Sequence, residues 1–560
     1  MILSRAFGAS VTAGLLVLAA CGDDASTSST ANAGGSGTGT GAGSSVGGGS
    51  GTGGGTGGTS SCEDFGHFPA PTTTFTLPEG DTIYYPDVQA SFPEVDWTTL
   101  DRLYIPAGNY KQFNLSNLPT RTAERPLIIT NLGGQVRVGP DLGANFIWTM
   151  GGGSHWILTG RYDPDSKTGD EGFQGHRCGA YATSRDHYGF ISDDAFDTSG
   201  AYLHMGVAAG NASDFEIEYV EVTRSGFAGF RFLNDASQNP NLPMANVKLH
   251  DTYVHDTAGE GIYLGWTGSP PSNLLPNLQV YNNRFIRTGN EALQIQNLGE
   301  GTHVHDNAIV HAGLHWRDNG LGAYQDHNSQ VQMRSGKITV EHNVMIGAAS
   351  PLLSLFRGAE GNDADIDVTF SENYFAETRS GFAGYYGGAA GTGSKYTFKG
   401  NFFRALDFSY TEVDAASTDP KNVLRPGSIE APSLLDGNTW EGDETLVPGL
   451  STPNGTQGPV TATNNVNGPV TPIEFEDALD VSGENLEFWV AATTRLAGSP
   501  PRTYSAGEVV LYLDGNLYRA TASSTNAPPP ENPDKWEALP VPADDYRVKA
   551  SSPYAAMSVK

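Results

Sequence analysis

The sequence predicts an all-β protein whose body is a right-handed parallel β-helix, with a small β module near the C-terminus. Three observations carry this expectation. From about residue 214 short strand-like segments recur and can be superposed, and in five of them asparagine falls at the same point. Helical periodicity is absent, and turn-forming residues are dense.

The repeating segments read "FEIEYVEV", "VKLHDTYV", "LQVYNNRF", "THVHDNAI", "ITVEHNVM", "VTFSENYF" and "YTFKGNFF". The shared asparagines are Asn283, Asn307, Asn343, Asn373 and Asn401, at intervals of 24, 36, 30 and 28 residues. Such unequal spacing suits coils that differ only in loop length. After most segments a small-residue turn leads to a second strand, as in "GFAGFRF", "GEGIYLG", "NEALQIQ", "NSQVQMR" and "SPLLSLF". Coils of this kind stack about 4.8 Å apart and bury a continuous apolar column. The asparagines are expected to form a hydrogen-bonded ladder and to tolerate the left-handed backbone of the turn themselves. A β-sandwich would need a series of short hairpin turns, and this region has no Asn-Gly or Asp-Gly series.

Along the chain, residues 1–21 read as an export signal, with Arg5 ahead of an apolar stretch from Ala6 to Leu18. The following "LAAC" (Leu18 to Cys21) resembles the bacterial lipoprotein lipobox. That resemblance implies lipidation at Cys21 and a place at the outer membrane or cell surface. Residues 22–61 are almost entirely Gly, Ser, Thr and Ala, a flexible tether spanning about 35 Å on average. The β-helix is expected over 62–450, an irregular connection over 451–500, the module over 501–540 and a final β-helix-like coil over 541–560. Export permits a disulfide between Cys62 and Cys178, and two free thiols are the alternative.

The charge balance is acidic, 62 Asp+Glu against 32 Lys+Arg for a net charge of −30. That excludes nucleic acid and anionic membrane as partners, because both need clustered cations. Membrane contact is therefore expected through the lipid anchor only, and the protein is expected to be a monomer. Beyond the N-terminus no apolar run is long enough to span a bilayer.

Aligning the coils on the asparagines exposes a candidate site. Glu260 follows Thr252 by 8 residues, and Glu291 follows Asn283 by 8, so the two occupy equivalent places on adjacent coils. Like charges that close cannot both ionise freely, and one carboxyl is expected to hold its proton. A protonated carboxyl beside an ionised one is the arrangement that glycosidic-bond hydrolysis uses. Aligning the second-strand segments places Ala228 and Ser329 either side of the pair. It adds an outward row of Arg231, Tyr263, Gln294, Gln332 and Ser354, and a third row of Leu233, Gly265, Gln296, Arg334 and Phe356. The long coil between Asn307 and Asn343 carries His315, Trp316, Arg317, Asp318, Tyr324, Asp326 and His327 in a loop that ends beside Glu291. A calcium ion on the glutamates, or plain surface carboxylates, are the alternatives; no cofactor is otherwise indicated, and the metal is left open. The acidic stretch Tyr162 to Glu171 lacks the EF-hand pattern.

Upstream, "PEGDTIYYPD", "LYIPAGNYKQFNL" and "RPLIITNLGGQVRVG" resemble the opening coils of the pectate-lyase-like superfamily, including chondroitinase B and similar alginate lyases. The resemblance implies a polysaccharide ligand or substrate. Near the C-terminus, Tyr504, Tyr512, Tyr518 and Trp536 stand in an order similar to family 5/12 chitin-binding-type modules, whose aromatic faces stack on sugars. The usual preceding tryptophan is absent. "DDYRVKASSPYAAM" (Asp544 to Met557) resembles the final coil of many β-helix proteins. Three functions follow. The first is hydrolysis by Glu260 and Glu291, with Arg231, Tyr263, Gln294, Gln296, Gln332, Arg334 and the 311–330 loop (His315, Trp316, Arg317, Asp326, His327) positioning the chain. The second is a uronate lyase with Arg334 or Arg231 as base and a bound cation. The third is a non-catalytic polysaccharide-binding adhesin.

Overall fold

Each coil contributes three short strands. In one coil these are Lys248–His250, Tyr253–Thr257 and Glu260–Leu264. In the next they are Gln279–Tyr281, Arg284–Thr288 and Leu293–Leu298. Each strand pairs in parallel with its counterpart one coil away. In this computed structural model the first two walls merge into a 23-stranded sheet, and the third wall is a sheet of 11 strands. The fold is a right-handed parallel β-helix. The structure describes residues 70–139, 147–160, 185, 188–196, 205–234, 244–265, 273–317, 326–357, 365–379, 381–387, 393–407, 422–426, 431–447, 459–482, 485–491, 501–557 and 559. Cys21, Cys62, Cys178, the leader, the tether and the stretch from Tyr162 to Glu171 lie outside these residues.

The three walls enclose one apolar column, filled from Leu77 to Leu446. Like residues stack coil on coil inside it. Trp156 lies parallel to Phe215 at 4.4 Å, Phe370 to Phe398 at 5.3 Å and Phe375 to Phe403 at 5.1 Å. The helix Tyr85–Ser91 buries Tyr85 and Val88 in this column at its N-terminal end.

The asparagine ladder runs further than the five predicted rungs. Thr252 opens it, and Asn438 and Asn465 continue it. Each ladder Nδ2 donates to the next Oδ1 at 2.9–3.0 Å, from Asn283 to Asn438. The same amide also donates to a main-chain carbonyl, and the Oδ1 accepts the previous rung's backbone N–H. Every polar atom of a buried ladder amide is thus used. One expectation is corrected. The left-handed residue is the one before the asparagine: Asp251, Asn282, Asp306, His342, Glu372, Gly400, Gly437 and Asn464 all have φ between 51° and 68°. The turn needs that conformation one position earlier, so that the asparagine points inward along the axis.

The boundaries also differ from expectation. The β-helix continues past residue 450, because Val460–Thr463 and Val466–Asn467 pair in parallel with the preceding coil. The last residues do not add a coil. Asp545–Val548 runs antiparallel to Phe475–Asp477, and Tyr546, Val548, Tyr554 and Met557 cover the second wall at Tyr253, Ile286 and Tyr374. Asp544 anchors this strap: its carboxylate receives both Arg287 terminal nitrogens at 2.6–2.7 Å and the Tyr253 hydroxyl, all fully buried. Arg287 is shared with Asp256, which also meets Arg185 and His255.

The module starts earlier than residue 501. Leu486–Phe488 is its edge strand, parallel to Val509–Leu511, followed by Leu517–Ala520 and Trp536–Ala538. One face buries Leu486, Phe488, Val509, Leu511 and Leu517 against Phe196, Ala258 and Leu314 of the β-helix. The other face packs Tyr504, Val510, Tyr518, Ala520 and Trp536 as the module's own core. Tyr504, Tyr518 and Trp536 are therefore interior residues and present no open face to a sugar. Tyr504 Oη bridges the N–H and carbonyl of Val490, and Trp536 Nε1 donates to Ala527. Tyr512 is half-buried, edge-on to Trp489.

Removing one rung tests the ladder. Asn343→Ala strands the Asn307 amide donors and the Val304 carbonyl, and is expected to cost roughly 2–5 kcal/mol in urea or thermal unfolding. A loss no larger than that of an exposed substitution contradicts the ladder's role.

Candidate active site

The third wall brings Glu260 and Glu291 together. Ile262 faces Leu293 across the coils, and the Gly261 N–H donates to the Glu291 carbonyl at 3.0 Å. Strand alternation breaks just after each glutamate. Ala292 and Leu293 both lie in the core, so Glu291 and Gln294 share the outer side. The equivalent first position is glycine on the two coils before. A Cβ on Gly229 would stand 2.6 Å from Val254 Cγ1, and one on Gly261 2.5 Å from the Ala292 carbonyl oxygen. Only a small residue fits there, and this keeps Glu260 on the side of Tyr263.

The occupant of the next coil is His327, where Ser329 was expected. Leu293 pairs with Ser329 and Gln294 with Gln330, which sets Glu291 against His327. Laying "NSQVQMR" on "NEALQIQ" is therefore two residues out of register, because the long insertion between Asn307 and this strand leaves no fixed count to the wall. For the same reason Gln330 stands in the Arg231–Tyr263–Gln294 row, and Gln332 in the row of Gln296. The resulting column at the corner of the third wall is Ala228, Glu260, Glu291 and His327.

Both carboxyls are closed from solvent. Asn290 Nδ2 donates to Glu260 Oε1 at 3.3 Å, and His327 Nδ1 stands 3.7 Å from Glu291 Oε1. Among the described residues no donor reaches Glu260 Oε2 or either Glu291 oxygen within hydrogen-bond geometry. Burial, then the neighbouring Glu291 carboxylate, push Glu260 up to about 8. Burial also raises Glu291, against the opposing pull of His327. The column therefore holds one proton on a carboxylic acid at neutral pH beside a second carboxyl and an imidazole. That is an acid–base set.

The other expected residues divide. Arg231, Tyr263 and Gln294 occupy adjacent rungs of the outer row, with Tyr263 tilted against Phe227 at 5.4 Å. Gln296 and Gln332 lie two residues further along their strands. Asp326 is buried next to His327. Arg334 is not brought to the glutamates: it follows the strand Ser329–Met333, about 20 Å beyond His327 at the rise of an extended chain. His315 and Arg317 meet the module, and Trp316 packs on Ala349. Arg317 Nε pairs with buried Glu487 at 2.5 Å and its guanidinium lies over the Trp316 ring, while His315 packs on Phe488 with ring centres 3.8 Å apart. Asp318 and Tyr324 lie outside the described residues.

Among the described residues the group with metal-ligand convergence is elsewhere, at Glu216, Glu218 and His250 on the first wall. Its members already have partners. Lys248 meets Glu216 at 2.9 Å, and Asp251 accepts from His250 at 2.6 Å. Burial opposes charge on His250, yet its bonds to Asp251 and Glu216 raise it to about 10. Sequence reasoning passed over this group, and also Asn290, whose only signal is its place directly before Glu291.

No family model matches the sequence, and no curated protein matches it. Solved structures similar to it include an alginate lyase from Paenibacillus, at 16% identity over 70% of this chain and 100% of that one, TM-score 0.37. A lacto-N-biosidase from Eubacterium ramulus is similar at 10% identity over 66% and 63% of the two chains, TM-score 0.37. The A-module of a mannuronan C-5 epimerase from Azotobacter vinelandii is similar at 14% identity over 68% and 95%, TM-score 0.33.

The raised carboxyl has a stability signature. Between 4.5 and about 8 the folded protein keeps a Glu260 proton that the unfolded chain releases. Stability is then full below 4.5 and falls as pH rises toward 8. Glu260→Gln removes that loss, so its Tm advantage over the native chain is expected to grow from about pH 5 to pH 8. A difference that stays constant across that range contradicts a buried, protonated Glu260.

Proposed function

We propose that the protein is a polysaccharide-active β-helix enzyme that cleaves glycosidic bonds on the outer face of its third wall. The observation that carries this is the Glu260–Glu291–His327 column, in which burial and a second carboxyl hold a proton on Glu260 at neutral pH. In this reading the binding chain uncovers the column, which is closed in the free protein, and Glu260 donates that proton to the leaving sugar oxygen. Glu291, ionised once the neighbouring proton is committed, acts as nucleophile or activates water. His327 stabilises the Glu291 anion.

The substrate chain would lie along the outer row, where register places Thr149, Ala208, Arg231, Tyr263, Gln294, Gln330, Ser354, Tyr385 and Arg425 on successive coils. Side chains repeating about every 4.8 Å, with amides, hydroxyls and aromatic rings, suit an extended oligosaccharide. The leader and tether suit display of this body at the outer membrane or cell surface.

One observation favours a second reading. Arg231 and Tyr263 face each other on adjacent rungs of that row. A guanidinium that neutralises a uronate carboxylate beside a phenol that moves the C5 proton is the equipment of β-elimination. Arg231, not Arg334, would then serve, because Arg334 stands away from the column.

Incubation with a panel of neutral and uronate polysaccharides separates the readings. New reducing ends without unsaturated-uronate absorbance are expected, and both signals together favour elimination. Glu260→Gln and Glu291→Gln are each expected to lower kcat by about 10²-fold or more. Full activity in both variants, or no cleavage of any polymer, overturns the proposal.

A further inference from the structure

The C-terminal module is joined to the carboxylate column by continuous backbone hydrogen bonding. On the third-wall corner, the turn Thr288–Asn290 accepts the N–H groups of Leu314, His315 and Gly313 at 3.0, 2.8 and 2.9 Å. The Leu314 carbonyl in turn accepts the N–H of Phe488, on the module's edge strand, at 2.9 Å. The turn segment Gly313–His315 thus bridges the β-helix and the module. Asn290, at the inner end of this chain, donates to Glu260.

Side chains lock the same contact. Phe488 and Leu486 pack on Leu314 and on Ala258, two residues before Glu260. Glu487, between them, is buried and held by Arg317 at 2.5 Å and Arg502 at 2.8 Å. Arg379 donates to the Leu486 carbonyl at 3.1 Å. An ion pair of this kind, closed from water, is costly to break once formed. A binding module on a loose linker needs none of this.

We propose that the module is a fixed wall of the carboxylate site: through Gly313–His315 it holds Asn290 on Glu260 and, in the free protein, keeps water from the Glu260–Glu291 pair. Phe488 and Glu487 are positioning residues, acting through Leu314 and Asn290. This rests on the reading of Glu260 and Glu291 as the acid–base pair, but its test does not need turnover. The charged groups facing the pair are His327 and Asp326 from the next coil; the module contributes Glu487, whose charge is taken up by Arg317, Arg379 and Arg502. The module's effect on Glu260 is therefore exclusion of water and placement of Asn290.

The test is a mutant cycle in the full chain, reading Tm from pH 5 to pH 8. Glu260→Gln is compared with the native residue in the native, Phe488→Ala and Glu487→Gln backgrounds. With the wall intact, the Glu260→Gln advantage grows with pH. In the Phe488→Ala background that growth is expected to shrink by at least half, because water reaches Glu260 and its carboxyl ionises nearer the ordinary range. A module with a merely structural role lowers Tm by the same amount at every pH and leaves the growth unchanged, which overturns the proposal. Should Phe488→Ala fail to fold, Glu487→Gln, which keeps the strand's shape, decides by the same criterion. Loss of the pH dependence without polysaccharide cleavage in any background supports the wall and removes the proposed reaction; cleavage with unchanged pH dependence does the reverse.

Discussion

The ladder of buried asparagines sets the register on which the rest of the structure depends. A parallel strand pair alone resists slippage only as strongly as its side-chain pattern demands. Here each coil is also pinned by an amide whose donors and acceptor are all used by the coils on either side. A slip of one residue would strand several buried polar groups at every rung at once. Loops can therefore vary in length, as the 36-residue and 24-residue steps show, without disturbing the walls.

That rigidity is what makes two buried carboxyls tolerable side by side. Glu260 and Glu291 are equivalent positions on coils whose spacing the ladder will not relax, so the repulsion is relieved by holding a proton. Charge elsewhere in the interior is handled by pairing. Arg287 is clamped between Asp256 and Asp544, and Glu487 between Arg317 and Arg502. The contrast separates two kinds of buried charge. The paired sets fasten the C-terminal strap and the module to the β-helix, whereas the glutamate column has the His327 imidazole beside Glu291 and keeps a proton on Glu260.

The sequence revealed these features unevenly, for physical reasons. Asn283 to Asn401 could be read because each sits in the same strand–turn–strand context. Asn438 and Asn465 were missed because their coils have strands of only two to four residues, too short to show alternation. Glu260 over Glu291 was readable because both coils have the same length from ladder to wall. His327 was not, since an insertion breaks the count between Asn307 and Ser329. The roles of Trp316 and Arg317, and of Tyr504, Tyr518 and Trp536, could not be read from residue type alone. An aromatic or arginine that reaches a partner module looks the same in one dimension as one that reaches a sugar. Packing distinguishes them: Arg317 pairs with Glu487, Trp316 packs on Ala349, and Tyr504, Tyr518 and Trp536 form the module's own core.

Register places Glu260 and Glu291 in one buried column and leaves a proton on Glu260. A titration of carboxyl resonances in protein labelled with ¹³C-glutamate tests it directly. One side-chain carboxyl is expected to titrate near pH 8, its signal vanishing in Glu260→Gln. If every glutamate carboxyl titrates at or below its ordinary value, the two groups are not buried together and the site does not exist as described.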